Sequence, residues 1–172
     1  MFYWLRNYPN FLEVVYEFIL WVLRPFKRVL KPGSWSEKLM ISVEKVGKGV
    51  VFDCQMCGQC ILHSTGMTCP MTCPKNLRNG PCGGVRLNGH CEVKPEMRCI
   101  WVEAYERSLR MPIYGQELVV IQAPVNHQLQ GSSSWINMLY GIDKNFPIGW
   151  KNTREVLLPH EQSALEKRQN AA

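Results

Sequence analysis

The sequence predicts a small α+β domain, largely irregular and organised around metal, with an apolar helix before it and a loop-rich tail after it. Three observations predict this. All eight cysteines fall between positions 54 and 99 of a 172-residue chain. A nearly unbroken apolar run, from Phe11 to Leu23, precedes them. Thirteen glycines and eleven prolines break up much of the remainder. The chain accordingly divides into an N-terminal helical arm at 1–49, a cysteine-rich metal-cluster domain at 50–110 and an extended, partner-wrapping tail at 111–172.

In the arm, Asn10 is placed to cap a helix through "FLEVVYEFILWVLR". Only Glu13 and Glu17 interrupt its apolar side chains, one turn apart, and they predict a thin wet stripe. Pro25 ends or kinks the helix, and a basic segment follows with Arg24, Lys27, Arg28 and Lys31. The 13 residues from Phe11 to Leu23 fall short of the ~20 that cross a bilayer. Two readings stay open: burial against the chain's own core or a partner, and a peripheral membrane contact through residues 10–31.

In the middle segment, Asn88-Gly89 sits between short β-prone runs and predicts a two-residue hairpin. "KPEMRCIWVEAYERSLR" predicts a helix with Pro95 in its first turn, Glu103–Arg107 and Glu106–Arg110 paired at i, i+4, and Val102, Tyr105 and Leu109 on one face. Between Cys60 and Cys82 the chain reads as loop. The tail shows no period: Trp135 and Trp150 stand isolated among polar residues, and "LPHEQSALEKRQ" at 158–169 predicts a short exposed helix.

The cysteines carry the chemistry. Their spacing is C-x2-C-x2-C-x8-C-x3-C-x8-C-x8-C-x7-C. Cys54, Cys57 and Cys60 match the opening of a ferredoxin-type run, in which a tight loop brings three thiolates to one cubane. Gly58 lies where such a loop needs a positive φ or a close approach to sulfide. The ferredoxin's fourth cysteine is replaced by Ser64, but Cys69 and Cys73 both precede proline, which stiffens a ligand arm. Zinc is the rival, since its sites are built from paired cysteines, and Cys69 and Cys73 could join Cys82 and Cys91 in one. Disulfides are a third reading, which a cytoplasmic location disfavours. The expected metal ligands are therefore Cys54, Cys57, Cys60, Cys69, Cys73, Cys82, Cys91 and Cys99. They would hold two [4Fe–4S] clusters, one cluster plus zinc, or zinc alone, and spacing does not choose the triplet's fourth partner. His63 and His90 read as surface loop histidines. No phosphate loop, nucleophile elbow or paired-carboxylate site is apparent, so no catalytic residue is expected.

The stretches "CGQC" at 57–60, "CPKNLRNGPCGG" at 73–84, "NGHCEV" at 88–93 and "CIWVEAYER" at 99–107 resemble the cysteine-rich family that occurs beside, or fused to, methylenetetrahydrofolate reductase. They are similar to the accessory subunit of the two-subunit reductases of acetogens. The resemblance covers roughly residues 50–110. It implies a non-catalytic iron–sulfur subunit docked on a flavin-dependent reductase barrel, with FMN or FAD in the partner and electron transfer in one-carbon metabolism as the role. A zinc or cluster scaffold without electron transfer is the alternative.

The formal charge of +6 is concentrated at the front: residues 1–50 hold eight Lys/Arg and four Asp/Glu, residues 51–110 seven and five, residues 111–172 five and five. Two tetrathiolate centres of charge about −2 each would bring the chain to about +2. The basic excess then reads as counter-charge, and no nucleic-acid partner is expected. The first residues lack the basic start and small-residue cleavage site of a secretory leader, so the expected location is cytoplasmic, with membrane association through the arm as the variant.

Overall fold

The computed structural model describes residues 3–150. Among them lie four α-helices: α1 at Pro9–Leu23, α2 at Trp35–Phe52, α3 at Ile100–Ser108 and α4 at Ser134–Tyr140, linked by irregular chain and short 3-10 turns. The β part of the α+β expectation amounts to two isolated antiparallel bridges, Val85 with Cys91 and His90 with Arg98. They sit at the expected hairpin, where Gly89 takes φ +79° and Arg86 N donates to His90 O at 2.9 Å. The architecture is thus mostly helical and irregular. The helix expected at 158–169 lies outside the described residues.

Helix α1 starts at Pro9, whose ring suits a first-turn position, rather than after Asn10, and it ends before Pro25. Its orientation inverts the expectation. Glu13 is fully buried, and its carboxylate accepts from the backbone N–H of Ile113 at 3.1 Å and of Tyr114 at 2.7 Å. Glu17 accepts from the Tyr114 hydroxyl. The stripe that carries the glutamates therefore faces the protein, together with Leu12, Tyr16 and Leu20, while Phe11, Val14, Phe18 and Trp21 face solvent. The physical reason lies in distant chain: the 111–114 loop brings two backbone amides to the helix, and the Glu13 carboxylate satisfies both.

Helix α2 was not resolved within the arm by sequence reading. Ser34 precedes it, and the Glu37 carboxylate reaches back to the Gly33 N–H at 2.6 Å, a variant of the capping box. It ends at Asp53, which adopts a left-handed φ of +53° and turns the chain directly into Cys54. Its inward side carries two charged residues, Glu44 and Lys48, joined at 2.9 Å. The Glu44 carboxylate also accepts from the hydroxyls of Ser133 and Ser134 and from the N–H groups of Ser134 and Trp135. It thereby caps the start of α4, where an anion meets the positive end of the helix. Trp135, expected to stand isolated in a loop, is buried with Leu12, Tyr16, Leu20, Leu62, Met67, Cys69 and Met111 in the core.

Helix α3 is shorter than expected, with Cys99 at its N-cap and Pro95 outside it. Its buried side is Ile100, Trp101, Ala104, Arg107 and Ser108. Val102, Tyr105 and Leu109 lie on the opposite face, where Tyr105 and Leu109 are exposed. The Glu103–Arg107 pair forms at 3.0 Å, but Glu106 pairs with Arg98 instead of Arg110, because the hairpin places Arg98 beside it. Among the described residues no helix is long and apolar enough to cross a membrane; α1, at 15 residues, reaches about 22 Å against the ~30 Å of a hydrocarbon core.

Removing one partner of a buried, multiply bonded ion pair leaves the other charge stranded. Glu44→Ala is expected to lower unfolding free energy by about 3–5 kcal/mol in a denaturant titration followed by tryptophan fluorescence. Glu37→Ala, at an exposed cap, should cost about 1 kcal/mol.

Candidate metal centre

Cys54, Cys57, Cys60 and Cys69 line one cleft. The chain reaches this arrangement by coiling tightly after α2: Asp53, Met56 and Gly58 all take positive φ, at +53°, +50° and +72°. Only glycine fits at position 58, since an added Cβ would stand 2.2 Å from Leu129 O. Cys69 arrives from the other side on a buried run, Ser64–Pro70, whose turns are tied by the Thr65 hydroxyl to Ile61 O at 2.9 Å and Thr68 O at 2.7 Å. Cys69 thus lines the same cleft as the triplet.

The loop backbone is held from outside by the tail. Gly131 N donates to Met56 O at 2.8 Å, Gln130 Nε2 to Gln55 O at 2.7 Å and Asn137 Nδ2 to Gly58 O at 2.8 Å. Gln59 is almost fully buried: its amide accepts from Asn126 N at 2.7 Å and donates to Asp143 O at 2.8 Å. The described part of the tail therefore wraps the chain's own cysteine loop.

Two cations flank the thiols. Lys48 lies beside Cys60 and Cys54, fixed by Glu44 and by Ser134 Oγ at 2.6 Å, with its ammonium 4.5 Å from the Trp135 ring centre. Burial opposes its charge, but Cys60 and Glu44 outweigh burial and hold its pKa above the ordinary value. Arg78 is buried against Cys57 and Cys60, donates to Gln59 O at 3.1 Å, and its Nε has no hydrogen-bond partner among the described residues. Met56 N–H points at Cys54 Sγ, at 3.4 Å. Cations and amide donors aimed at sulfur are what a negatively charged thiolate centre requires. The donor set fits a cysteine-ligated metal group. Among the described residues no three His, Cys, Asp or Glu side chains converge as they would on a single ion.

The other four cysteines occupy the 73–99 lobe. The His90–Arg98 bridge sets the register there: Cys91 N donates to Met97 O and Cys99 N to Gly89 O, both at 2.9 Å, which puts Cys91 and Cys99 diagonally on one face. Gly84 N–H approaches Cys82 Sγ at 3.4 Å. Lys75, two residues after Cys73, reaches both Cys82 and Glu92.

His63 is not a surface histidine. It is half-buried, stacks on Tyr16 with centroids 5.3 Å apart, and approaches Glu117 at 3.4 Å. Burial lowers its pKa, although Glu117 pulls the other way. His90 bonds within its own turn, to Asn88 O at 3.1 Å. Sequence reading missed Glu44, Lys48, Gln59, Arg78 and Asn137. The i, i+4 spacing of Glu44 and Lys48 was a signal for that pair; Arg78 and Asn137 had none, because their roles depend on chain brought in from elsewhere.

Residues 34–128 match the family model described as methylene-tetrahydrofolate reductase C terminal. The chain belongs to this family. No curated protein and no solved structure matches it. The reductase C-terminal match begins where α2 begins and takes in every cysteine, whereas α1 and α4 lie outside it. Glu44, Lys48 and Gln59 thus fall within the family stretch, as does Asn126, which donates to Gln59, whereas Ser133 and Ser134, which hold Glu44 and Lys48, and Asp143, which accepts from Gln59, fall beyond it.

Burial pushes the thiols of Cys54 and Cys69 up from 9.0, to about 11 and about 12. The sign follows from linkage: a raised pKa means the unfolded chain releases its proton first. Metal-free protein should therefore keep these contributions below pH 9.0 and lose them as pH climbs through about 11 and 12. Thermal melts of metal-free protein against pH are expected to show this alkaline loss, flattened by Cys54→Ser with Cys69→Ser. Gly58→Ala should disorder the loop that carries Cys54, Cys57 and Cys60, and any metal the purified protein holds in this cleft is expected to be lost with it in elemental analysis.

Proposed function

We propose that this chain is an iron–sulfur accessory subunit of a methylenetetrahydrofolate reductase-type flavoprotein, passing electrons to or from the partner's FMN or FAD in the cytoplasm and carrying no active site of its own. The observation that supports it most directly is the meeting of Cys54, Cys57, Cys60 and Cys69 in one cleft of a chain that belongs to the reductase C-terminal family. On this reading those four cysteines hold one [4Fe–4S] cluster, and Cys73, Cys82, Cys91 and Cys99 hold a second. Such a cluster supplies one-electron transfer. The chain's own residues do the rest. Lys48 and Arg78 offset thiolate charge in a site where burial resists it. Gln59 and Asn137 fix the loop backbone so that the thiols keep their places, and the Met56 N–H donates to the Cys54 sulfur.

A structural reading is favoured by one feature, the 73–99 lobe. Leu87 and Val93 there are exposed and Cys82 faces solvent, so this lobe has little core to hold it without metal. The two readings separate experimentally. Anaerobic protein is expected to contain about eight irons and eight sulfides. After reduction with dithionite it should bleach the flavin band of oxidised reductase partner as its own band returns. Cys57→Ser should block that transfer while the partner still accepts electrons from dyes. A colourless protein with stoichiometric zinc and full activity in complex would overturn electron transfer and leave a scaffold.

A further inference from the structure

The arm presents a surface that the metal centre does not use. On α1, Phe11, Val14, Phe18 and Trp21 are all more than half exposed, and Trp21 is 71% exposed. Their i, i+3, i+7, i+10 spacing makes one stripe along the helix. On α2, Trp35, Leu39, Val43 and Val46 make a second exposed stripe, with Trp35 at 77%. Phe11 and Val43, one from each, line the same apolar groove between the two helices. The two stripes therefore meet at that groove, through Phe11 and Val43. Between the helices run Arg24, Lys27, Arg28 and Lys31, all exposed, and no acidic residue occurs from Phe18 to Ser36. The acidic residues at the margins are occupied: Glu13 by backbone amides, Glu17 by Tyr114, Glu37 by Gly33, and Glu44 by Lys48 and the α4 start.

We infer that this surface docks on an anionic lipid bilayer, with the tryptophans and aliphatic side chains in the interface and the basic connection at the headgroups. The charge decides the occupant. Apolar stripes alone would suit any apolar partner, but four adjacent exposed cations without a neighbouring acid, flanked by Trp21 and Trp35, match a sheet of negative headgroups over an apolar interior. Insertion demands an apolar face, a basic border and aromatic residues near the boundary, and it does not demand a spanning length. The surface is also fixed rather than adaptable. Glu13 ties α1 to the 111–114 loop, Arg110 donates to Asn7 O at 3.1 Å, and Tyr140 donates to Lys27 O at 2.8 Å at the basic connection. Docking would bring the cysteine domain to the membrane as one body. Most of this surface, including all of α1 and the basic connection, precedes residue 34 and so lies outside the reductase C-terminal match.

Flotation of the full chain with vesicles tests this. The vesicles are phosphatidylcholine alone, or phosphatidylcholine with about one third phosphatidylglycerol. The expected result is binding to the anionic vesicles, release by high salt, and weak binding to neutral ones. Lys27→Glu with Arg28→Glu should weaken anionic binding by more than about tenfold. Phe18→Ser with Trp21→Ser should do the same while leaving metal content and the circular dichroism spectrum unchanged, since both side chains face outward. The inference is overturned if the full chain stays in solution with anionic vesicles, or if it binds and neither pair of substitutions alters binding. It is also overturned if the reductase complex does not float and Phe18→Ser with Trp21→Ser instead releases the flavoprotein, which would make the surface a protein interface. None of these outcomes touches the iron and sulfide analysis, so the two proposals stand or fall separately.

Discussion

The Glu44 carboxylate holds together segments some 90 residues apart. It neutralises Lys48 one turn along α2, caps α4 and fixes Ser133 and Ser134. Lys48, so held, lies beside Cys60 and Cys54 and over the Trp135 ring, and Trp135 closes the core on Tyr16 and Met67. One buried carboxylate thus positions the cation that faces the thiols, the helix whose Asn137 holds the cysteine loop and the aromatic ring at the centre of the core. An apolar pair in its place could pack as well, but it could not deliver a charge to the cleft.

A second carboxylate works in the same way at the other end of the arm. Glu13 satisfies two amides of the 111–114 loop and in doing so turns α1 so that its aromatic stripe faces out. Fixing the loop and exposing Phe18 and Trp21 are two results of one contact. The cysteine cleft and the outward surface are both set by buried acids on helices that carry no cysteine.

The cysteine pattern was the most legible part of the sequence. The C-x2-C-x2-C run and Gly58 predicted a coiled ligand loop, and the loop is coiled, with Gly58 where no side chain fits. The hairpin at Asn88-Gly89 and the Glu103–Arg107 pair were legible because their partners are near in sequence. What failed depended on distant chain. Hydropathy read Glu13 as the wet side of α1, because nothing near it reveals two amides arriving from residue 113 and residue 114. Trp135 looked isolated among polar residues because those residues are what bind Glu44. The β content was overstated because the β-prone runs around Asn88 are too short to extend past single bridges.

The tail's hold on the cysteine loop has a consequence for how the protein is made. Cys69 is synthesised 74 residues before Asp143, the last residue seen to bond Gln59. At the pace of a ribosome that interval is on the order of ten seconds. During it the four thiols of the cleft have emerged, or are emerging, without the wall that later shields them. The nascent chain therefore has a period in which its sulfurs are open to whatever reaches them first, a donor of metal or an oxidant, and the closing of the tail ends that competition.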